Sequence, residues 1–268
     1  MVVFFAESYT KPKEVPVTGN MKIILEYDKS SFEEKDRALL LALNEYIQVV
    51  KVGLEAMTAE HPKSRRTIAG LVAEFCIDIL DIEAMWDMKL GDIGNTVAQA
   101  VHNIGKLGAS LFTLHASASD PALAAAVKVS KKYNMTALVV TVPTDLDDNQ
   151  CRTRFLPRGV AYGGNLVEAL VLNYAENAYG LGIRSFVCSA QEARIIRRLY
   201  PNATIVTPAI RPLWSVASDE QQRVTTPTQA AEAGADYIVV GHPILRPPRR
   251  MKPIEAAKRI REELDAVS

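Results

Sequence analysis

Closely spaced cysteines are absent from this sequence of 268 residues. Its three cysteines, Cys76, Cys151 and Cys188, lie far apart and form no CxxC pair. A disulfide framework needs an even set of cysteines, and structural zinc sites commonly use CxxC pairs. The sequence therefore indicates neither kind of fold, and we expect a reducing, cytoplasmic setting.

An excess of charge of one sign is also missing. Lys and Arg total 31, and Asp and Glu total 31, so the formal net charge is zero. A chain without net charge has no general electrostatic attraction to nucleic acid or to anionic lipid. We therefore expect no nucleic-acid partner, and any anion-binding site must be a local one.

Long apolar runs are absent, and so is a leader pattern. No run reaches the roughly 18 apolar residues that a membrane span requires. Residues 1–15 start with a short apolar stretch but continue with Glu, Lys and Pro, unlike a secretory signal. We therefore expect no association with a membrane.

Sequence motifs for bound cofactors are missing as well. The chain has no GxGxxG turn, no P-loop and no cluster of His and Cys residues. These patterns mark dinucleotide sites, nucleoside triphosphate sites and metal sites, respectively. We therefore expect a function that needs no metal ion and no organic cofactor.

The sequence does contain a regular alternation of short apolar runs and helical patterns. Each of the runs has the length and the aliphatic content of a buried strand. The predicted strands span residues 22–28, 47–53, 82–89, 110–116, 136–142, 183–189, 203–209 and 236–241. The predicted helices follow Ser31 and then span 63–76, 95–107, 121–134, 165–179, 190–199, 227–233 and 253–265.

This order of elements predicts an α/β fold, a single-domain (β/α)8 TIM barrel over residues 21–268. The runs are nearly continuous stretches of apolar residues, as parallel strands buried on both faces should be. An open doubly wound sheet is the alternative, but the evenly repeated units favour a closed barrel. Residues 1–20 form a separate N-terminal extension in this interpretation.

Polar residues at the predicted strand ends are the candidates for chemistry, since barrel active sites lie at the carboxyl ends of the strands. Asp87 and Lys89 are two residues apart and so lie on one face of their strand. That face is the barrel interior if Trp86 and Met88 pack outward against the helices. Other polar strand-end residues are Asp28, Lys51, Asp92, His115, Thr144, Asp145, Arg211 and His242.

Alternating charges in one barrel mouth would hold each other ionised by mutual attraction. Such a cluster is costly to bury and is weak evidence for stability, which favours a functional role. A structural ion-pair network is the other interpretation, and any one of these charges alone would more often be structural.

The segments that carry these residues resemble the orotidine 5′-phosphate decarboxylase family. The stretch "DMKLGDIGNTV" is similar to that family's DxKxxDIxxT signature, and "LEYD" (25–28) is similar to its LALD strand. Further similar segments follow in the family's order: "VKVGLE", "LFTLHAS", "VVTVPTDLDD", "FVCSAQEA", "TPAIRP", "DEQQRVTTP" and "AGADYIVVGHPI". The DxKxxD element is shared with keto-gulonate phosphate decarboxylases, whereas the Lys51 strand and the "Q.RV.TP" run point to the orotidylate branch.

The resemblance implies decarboxylation of orotidine 5′-monophosphate to UMP, a step of pyrimidine biosynthesis, by a homodimer with shared active sites. It implies that Lys89 protonates C6 of the pyrimidine, that Asp87 lies beside the leaving carboxylate, and that Lys51 orders the array. It also implies that Asp92 and Thr96 reach into the neighbouring subunit's site.

The resemblance also implies the residues that bind the rest of the nucleotide. Asp28 would bind the ribose hydroxyls, and Thr144 would help to hold the base. The phosphate would be held by Arg211, Gln221, Gly241 and the residue at position 242.

The sequence departs from the family pattern at several of these positions. His242 stands where the family has Arg, so the planar charged fork that grips a phosphate is missing. Asp145 stands where a small hydroxyl near the base is expected, and Gly94 and Ala209 replace Pro and Gly. Basic residues of the following loop would be substitutes for the missing cation, although they are more typical of a solvated surface: Arg246, Arg249 and Arg250.

Three hypotheses follow from the sequence. The first is an orotidylate decarboxylase, or a close paralogue acting on a modified nucleotide. The second is a related decarboxylase or isomerase of phosphorylated sugar acids, which Lys51 and the "Q.RV.TP" run argue against. The third is a non-catalytic nucleotide-binding barrel, which has no need to keep so many unfavourably placed charges.

Overall fold

The computed structural model describes residues 21–216, 224–248 and 250–267. The predicted extension over residues 1–20 lies outside this part of the chain. Gln221 and Arg249 also lie outside it.

The described residues form a closed barrel of eight parallel strands in sequential order, which confirms the predicted (β/α)8 fold. All eight predicted strands are present, and all except β3 are shorter than predicted by two to four residues. The strands are β1 Lys22–Glu26, β2 Val49–Val52, β3 Glu83–Leu90, β4 Leu111–His115, β5 Thr136–Val140, β6 Ser185–Val187, β7 Thr204–Thr207 and β8 Tyr237–Val240.

Helices surround the barrel, and each predicted helix has a counterpart. They are α1 Glu34–Leu43, α2 Leu54–Thr58, α3 Ile68–Phe75, α4 Gly94–Lys106, α5 Asp120–Lys132, α6 Asp148–Phe155, α7 Leu166–Gly180, α8 Ala190–Leu199, α9 Pro227–Glu232, α10 His242–Leu245 and α11 Pro253–Asp265. In the described part of the chain, no helix has both the length and the apolar character needed to cross a membrane.

Local hydrogen bonds explain where the helices differ from the prediction. Helix α1 begins at Glu34 because Glu33 forms a capping box with Asp36, while the hydroxyl of Ser30 donates to Glu55 instead. Helices α2, α6 and α10 were not predicted. Of these, α6 has a low apolar content and is started by a capping box between Asp147 and Gln150.

The barrel interior holds a compact apolar layer, to which every strand contributes. Its buried members are Ile24, Val49, Met85, Leu111, Leu138, Val140, Val187, Val206 and Val239. Trp86 belongs to the larger cluster between barrel and helices, and Met88 packs against that cluster, as predicted. Because side chains alternate along a strand, the next inward position beyond the last of these residues on each strand lies at the barrel mouth.

Two non-glycine residues near that mouth have left-handed backbone. Lys89 has φ of +47° and Ala209 has φ of +60°. This conformation costs an L-residue roughly 1–2 kcal/mol, because the Cβ crowds the following carbonyl. The glycine that the family pattern has at position 209 would be free of this strain.

We therefore expect Ala209→Gly to raise the free energy of unfolding by about 0.5–1 kcal/mol. The relief of strain outweighs the extra flexibility that glycine gives the unfolded chain. Urea unfolding of both proteins measures the change. Ala231→Gly, within α9, is the matched control and should lose about 1 kcal/mol. A destabilised Ala209→Gly variant would contradict the expectation.

Candidate active site

A cavity of about 380 Å³ opens at the carboxyl ends of the strands. Its charged lining consists of Glu26, Lys51, Asp87, Lys89, Asp145 and Arg211. Glu26, Lys51 and Asp87 each stand two residues beyond a member of the inner apolar layer, on β1, β2 and β3. The inward alternation of neighbouring strands thus brings charges that are far apart in sequence into one site.

Lys51 is the buried centre of the charge array, with 5% of its surface exposed. Its Nζ lies 2.9 Å from Glu26 Oε1, 3.1 Å from Asp87 Oδ2 and 3.7 Å from Asp28 Oδ2. Burial by itself would lower the pKa of Lys51, but the carboxylates of Asp87, Glu26 and Asp28 outweigh it and raise that pKa. Lys51 is therefore a fixed cation shared by three carboxylates.

Asp87 bridges the two lysines. Its Oδ1 accepts from Lys89 Nζ at 2.9 Å and from the Thr113 hydroxyl at 2.9 Å, while its Oδ2 accepts from Lys51. Burial alone would raise the pKa of Asp87, yet the ammonium groups of Lys51 and Lys89 lower it below the usual value. The carboxylate is therefore held charged and fixed in direction.

An irregularity in β3 presents Lys89 to the cavity. Between Trp86 and Leu90, β3 advances four residues while β4 advances two, from Phe112 to Leu114. The Lys89 backbone N–H donates to Thr113 Oγ1 at 2.8 Å, which helps to hold the left-handed turn. Lys89 keeps 45% of its side chain exposed, so its ammonium can meet a ligand. Strained backbone of this kind commonly accompanies functional residues.

Asp28 lies just beyond β1 and is held by the chain after β2. Its Oδ1 accepts from the Gly53 N–H at 3.0 Å. A Cβ added at Gly53 would lie 2.3 Å from Asp28 Oδ2, so only glycine leaves room for this carboxylate. The segment Lys51–Gly53 thus supplies both the central cation and the backbone N–H that holds the Asp28 carboxylate.

Asp92 and Thr96 lie outside the cavity of their own chain. Both are exposed, and Asp92 Oδ1 accepts from the neighbouring Ile93 N–H at 2.6 Å. Ile93 itself is 70% exposed. Within the described residues, these two predicted site residues are therefore separated from the array of Lys51, Asp87 and Lys89.

Of the remaining predicted site residues, some line the cavity and others do not. Thr144, Asp145 and Arg211 line the cavity. Gly241 is buried and His242 is exposed, and neither contributes to the cavity lining. His115 lies beside the site, where burial and the nearby Lys89 ammonium lower its pKa.

Two residues of the site were missed by the sequence reasoning, Glu26 and Thr113. Glu26 was passed over because Asp28 marked the end of the strand, although both lie on the inward face. Thr113 is almost fully buried, and a lone threonine in an apolar strand gives little signal. Side chains alternate along a strand, so Glu26 and Thr113 face inward two residues beyond Ile24 and Leu111, and this spacing is the signal that could have identified them.

We expect Lys51→Met to lower the free energy of unfolding by about 3 kcal/mol at pH 8, because three carboxylates lose their shared cation. The raised pKa of Lys51 keeps its stabilisation in place below the unfolded pKa, so the wild type retains it from pH 5 to 8. In the variant, the carboxylates repel one another and take up protons as the pH falls. The deficit should therefore shrink toward pH 5.

Urea unfolding at several pH values measures this deficit. Lys35→Met removes an exposed lysine that pairs with Glu33, and it should leave the free energy of unfolding nearly unchanged because solvent screens the pair. A Lys51→Met deficit as small as that of the control, or one that grows toward pH 5, would contradict the account of Lys51.

Comparisons with known proteins agree with one another. Residues 22–260 match the model of the "Orotidine 5'-phosphate decarboxylase / HUMPS family". An orotidine 5′-phosphate decarboxylase of Afipia carboxidovorans is 34% identical over 233 residues, which cover 87% of this chain and 91% of that protein.

Two solved structures share the fold at 24% sequence identity. An orotidine 5′-phosphate decarboxylase from Lactobacillus acidophilus has a TM-score of 0.69, covering 91% of this chain and 99% of its own. An uncharacterized conserved protein from Geobacillus kaustophilus has a TM-score of 0.68, covering 90% and 99%.

Proposed function

The chain belongs to the orotidine 5′-phosphate decarboxylase family, and we propose that it is a carboxy-lyase that converts orotidine 5′-monophosphate to UMP. The observation that carries the proposal is the Lys51–Asp87–Lys89 array on the cavity wall. This reaction belongs to pyrimidine biosynthesis and is proposed to run without a metal ion or an organic cofactor. Among the described residues, no group of three or more His, Cys, Asp and Glu side chains is placed to hold a metal.

The proposed chemistry follows from the charges of the array. When the bond from C6 to the carboxylate breaks, CO2 leaves and the electron pair stays on C6. A fixed ammonium beside C6 stabilises that charge as it develops. Lys89 then gives a proton to C6, a C–H bond forms, and the neutral amine regains a proton from water.

Asp87 and Lys51 set the conditions for this step. The charged Asp87 would face the substrate carboxylate and destabilise the ground state, an effect whose share in the rate is contested. Asp87 also keeps Lys89 Nζ in place through the 2.9 Å contact. Lys51 holds Asp87 from the other side, so the array needs little rearrangement during the reaction.

A homodimer with shared sites is part of the proposal. Asp92 and Thr96 are exposed and lie outside the cavity of their own chain, so a second copy is what would receive them. Next to them, α4 and α5 form a groove of about 590 Å³ that includes Gly94, Ala98, Pro121 and Ala125. A second copy packed on this groove would also cover Ile93.

The proposed function is tested by the loss of orotidylate absorbance with the purified full-length protein. A panel of phosphorylated sugar acids, including keto-acids, runs beside it. Conversion of orotidylate to UMP supports the proposal. Turnover of a sugar acid but not of orotidylate would identify a different member of the wider family, and turnover of none would favour a binding protein.

A further inference from the structure

Thr113 is the residue through which β4 supports the charge array. It is 1% exposed and lies two residues beyond Leu111 of the inner apolar layer, so its side chain faces the cavity. Its Oγ1 accepts from the Lys89 backbone N–H at 2.8 Å and donates to Asp87 Oδ1 at 2.9 Å. One hydroxyl on β4 therefore holds both members of the Asp87–Lys89 ion pair.

Chemistry fixes the direction of these two hydrogen bonds. A backbone N–H only donates and an ionised carboxylate only accepts, so the single hydroxyl proton of Thr113 must point to Asp87. The lowered pKa of Asp87 keeps its carboxylate ionised, as this arrangement requires. The Lys89 N–H, the Thr113 hydroxyl and the Asp87 carboxylate thus form one chain of hydrogen bonds, in which each bond strengthens the next.

This chain of hydrogen bonds spans the irregular part of β3. The regular pairing of β3 with β4 is interrupted between Trp86 and Leu90, and Lys89 has φ of +47° there. A lysine seldom adopts this conformation unless its surroundings hold it. Thr113 holds the backbone of Lys89 directly, and it holds the Lys89 ammonium through the Asp87 carboxylate. The place of Lys89 Nζ therefore depends on Thr113 at both ends of the residue.

We propose that Thr113 is a positioning residue for the proposed reaction, whose hydroxyl sets the place of the Lys89 ammonium beside the reacting carbon. This rests on the proposed function, in which Lys89 protonates C6. Removing the hydroxyl leaves the Lys89 N–H without its acceptor and takes one donor from Asp87 Oδ1. The turn then relaxes and Nζ moves, and a shift of about 1 Å costs roughly a hundredfold in rate at many active sites.

The test compares Thr113→Val, which keeps the shape of the side chain without its hydroxyl, with Thr113→Ser, which keeps the hydroxyl. Thr113→Val should lower kcat for orotidylate at least about tenfold. KM and the dissociation constant of UMP should change by less than about threefold, because groups away from Lys89 bind the nucleotide. Thr113→Ser should retain kcat within about threefold of the wild type, because its hydroxyl can form both hydrogen bonds.

Thr141→Val is the matched control for the loss of a buried hydroxyl. Thr141 directly follows β5, is also 1% exposed, and donates to the Val187 carbonyl at 3.0 Å, away from the array. Urea unfolding should show that both valine variants are destabilised. Only Thr113→Val should lose kcat, whereas a purely structural role of Thr113 would give the two variants similar kinetics.

Hydrogen exchange of the Lys89 backbone amide tests the geometry apart from catalysis. This amide should be protected in the wild type and in Thr113→Ser. In Thr113→Val it should exchange at least about tenfold faster, because its acceptor is gone. Equal exchange in the wild type and in Thr113→Val would overturn the inference.

The kinetic outcomes separate this inference from the proposed function. A loss of kcat below about tenfold in Thr113→Val, or an equal loss in Thr113→Ser, overturns the role of Thr113 and leaves the proposed function standing. A wild type that does not turn over orotidylate overturns both proposals. If Thr113→Val does not fold, Thr113→Cys takes its place under the same criteria, because a thiol is only a weak donor and acceptor.

Discussion

Replacing Lys89 with alanine is expected to lower kcat/KM for orotidine 5′-monophosphate by at least about 1000-fold. Under the proposed mechanism, the variant loses both the cation beside C6 and the proton donor, and general-acid and electrostatic contributions of this kind are each worth about a hundredfold or more. The fold should remain intact, because Lys89 lies at the mouth with its side chain 45% exposed.

Steady-state kinetics measure the loss of kcat/KM, and thermal unfolding shows whether the fold of the variant is intact. Lys63→Ala, an exposed lysine in the turn before α3, is the control and should retain wild-type kinetics. Activity of Lys89→Ala within tenfold of the wild type would remove Lys89 from the mechanism. A lost melting transition would mean that the loss of activity reflects unfolding.

Mixing two inactive variants is expected to restore activity if Asp92 serves the neighbouring subunit. In a hybrid dimer of Lys89→Ala and Asp92→Ala chains, one site receives both intact residues and the other receives neither. Random exchange places half of the chains in such hybrids, so about a quarter of all sites should be active. Because each variant alone should be nearly inactive, this recovery of activity is easy to detect.

Subunit exchange and sedimentation make the complementation experiment decisive. The variants are mixed at low protein concentration, concentrated and assayed, with each variant alone as the control. Hybrid formation is followed with an affinity tag on one variant. Hybrid dimers without activity would place Asp92 in its own subunit's site or outside catalysis, and a monomeric wild type would contradict the shared site.

The sequence was sufficient to predict the barrel because its strands are buried on both faces. Runs such as residues 136–142 are mostly aliphatic and carry no charged residue, and helical patterns separate them. The apolar character of the strands also made much of the candidate site predictable. Charged residues such as Lys51 and Asp87 interrupt otherwise apolar strands, which made them visible without any coordinates.

The parts that were not predicted depend on side-chain neighbours from different strands. The place of Glu26 over Gly241 depends on how β1 and β8 lie side by side in the barrel. The left-handed backbone of Lys89 accompanies the irregular pairing of β3 and β4. No glycine or other turn-forming residue at position 89 indicates this irregularity in the sequence. Helix α6 was missed because capping, rather than apolar periodicity, starts it.

The most direct test of the central claim is the product formed from orotidine 5′-monophosphate in D2O. The amine protons of Lys89 exchange with solvent, so the wild type should release one CO2 for each UMP and place deuterium at C6. Mass spectrometry and proton NMR read both, and Lys89→Ala should give no product above the uncatalysed background. A wild type that leaves the carboxylate intact, or a Lys89→Ala variant that forms C6-deuterated UMP at the wild-type rate, would contradict the account.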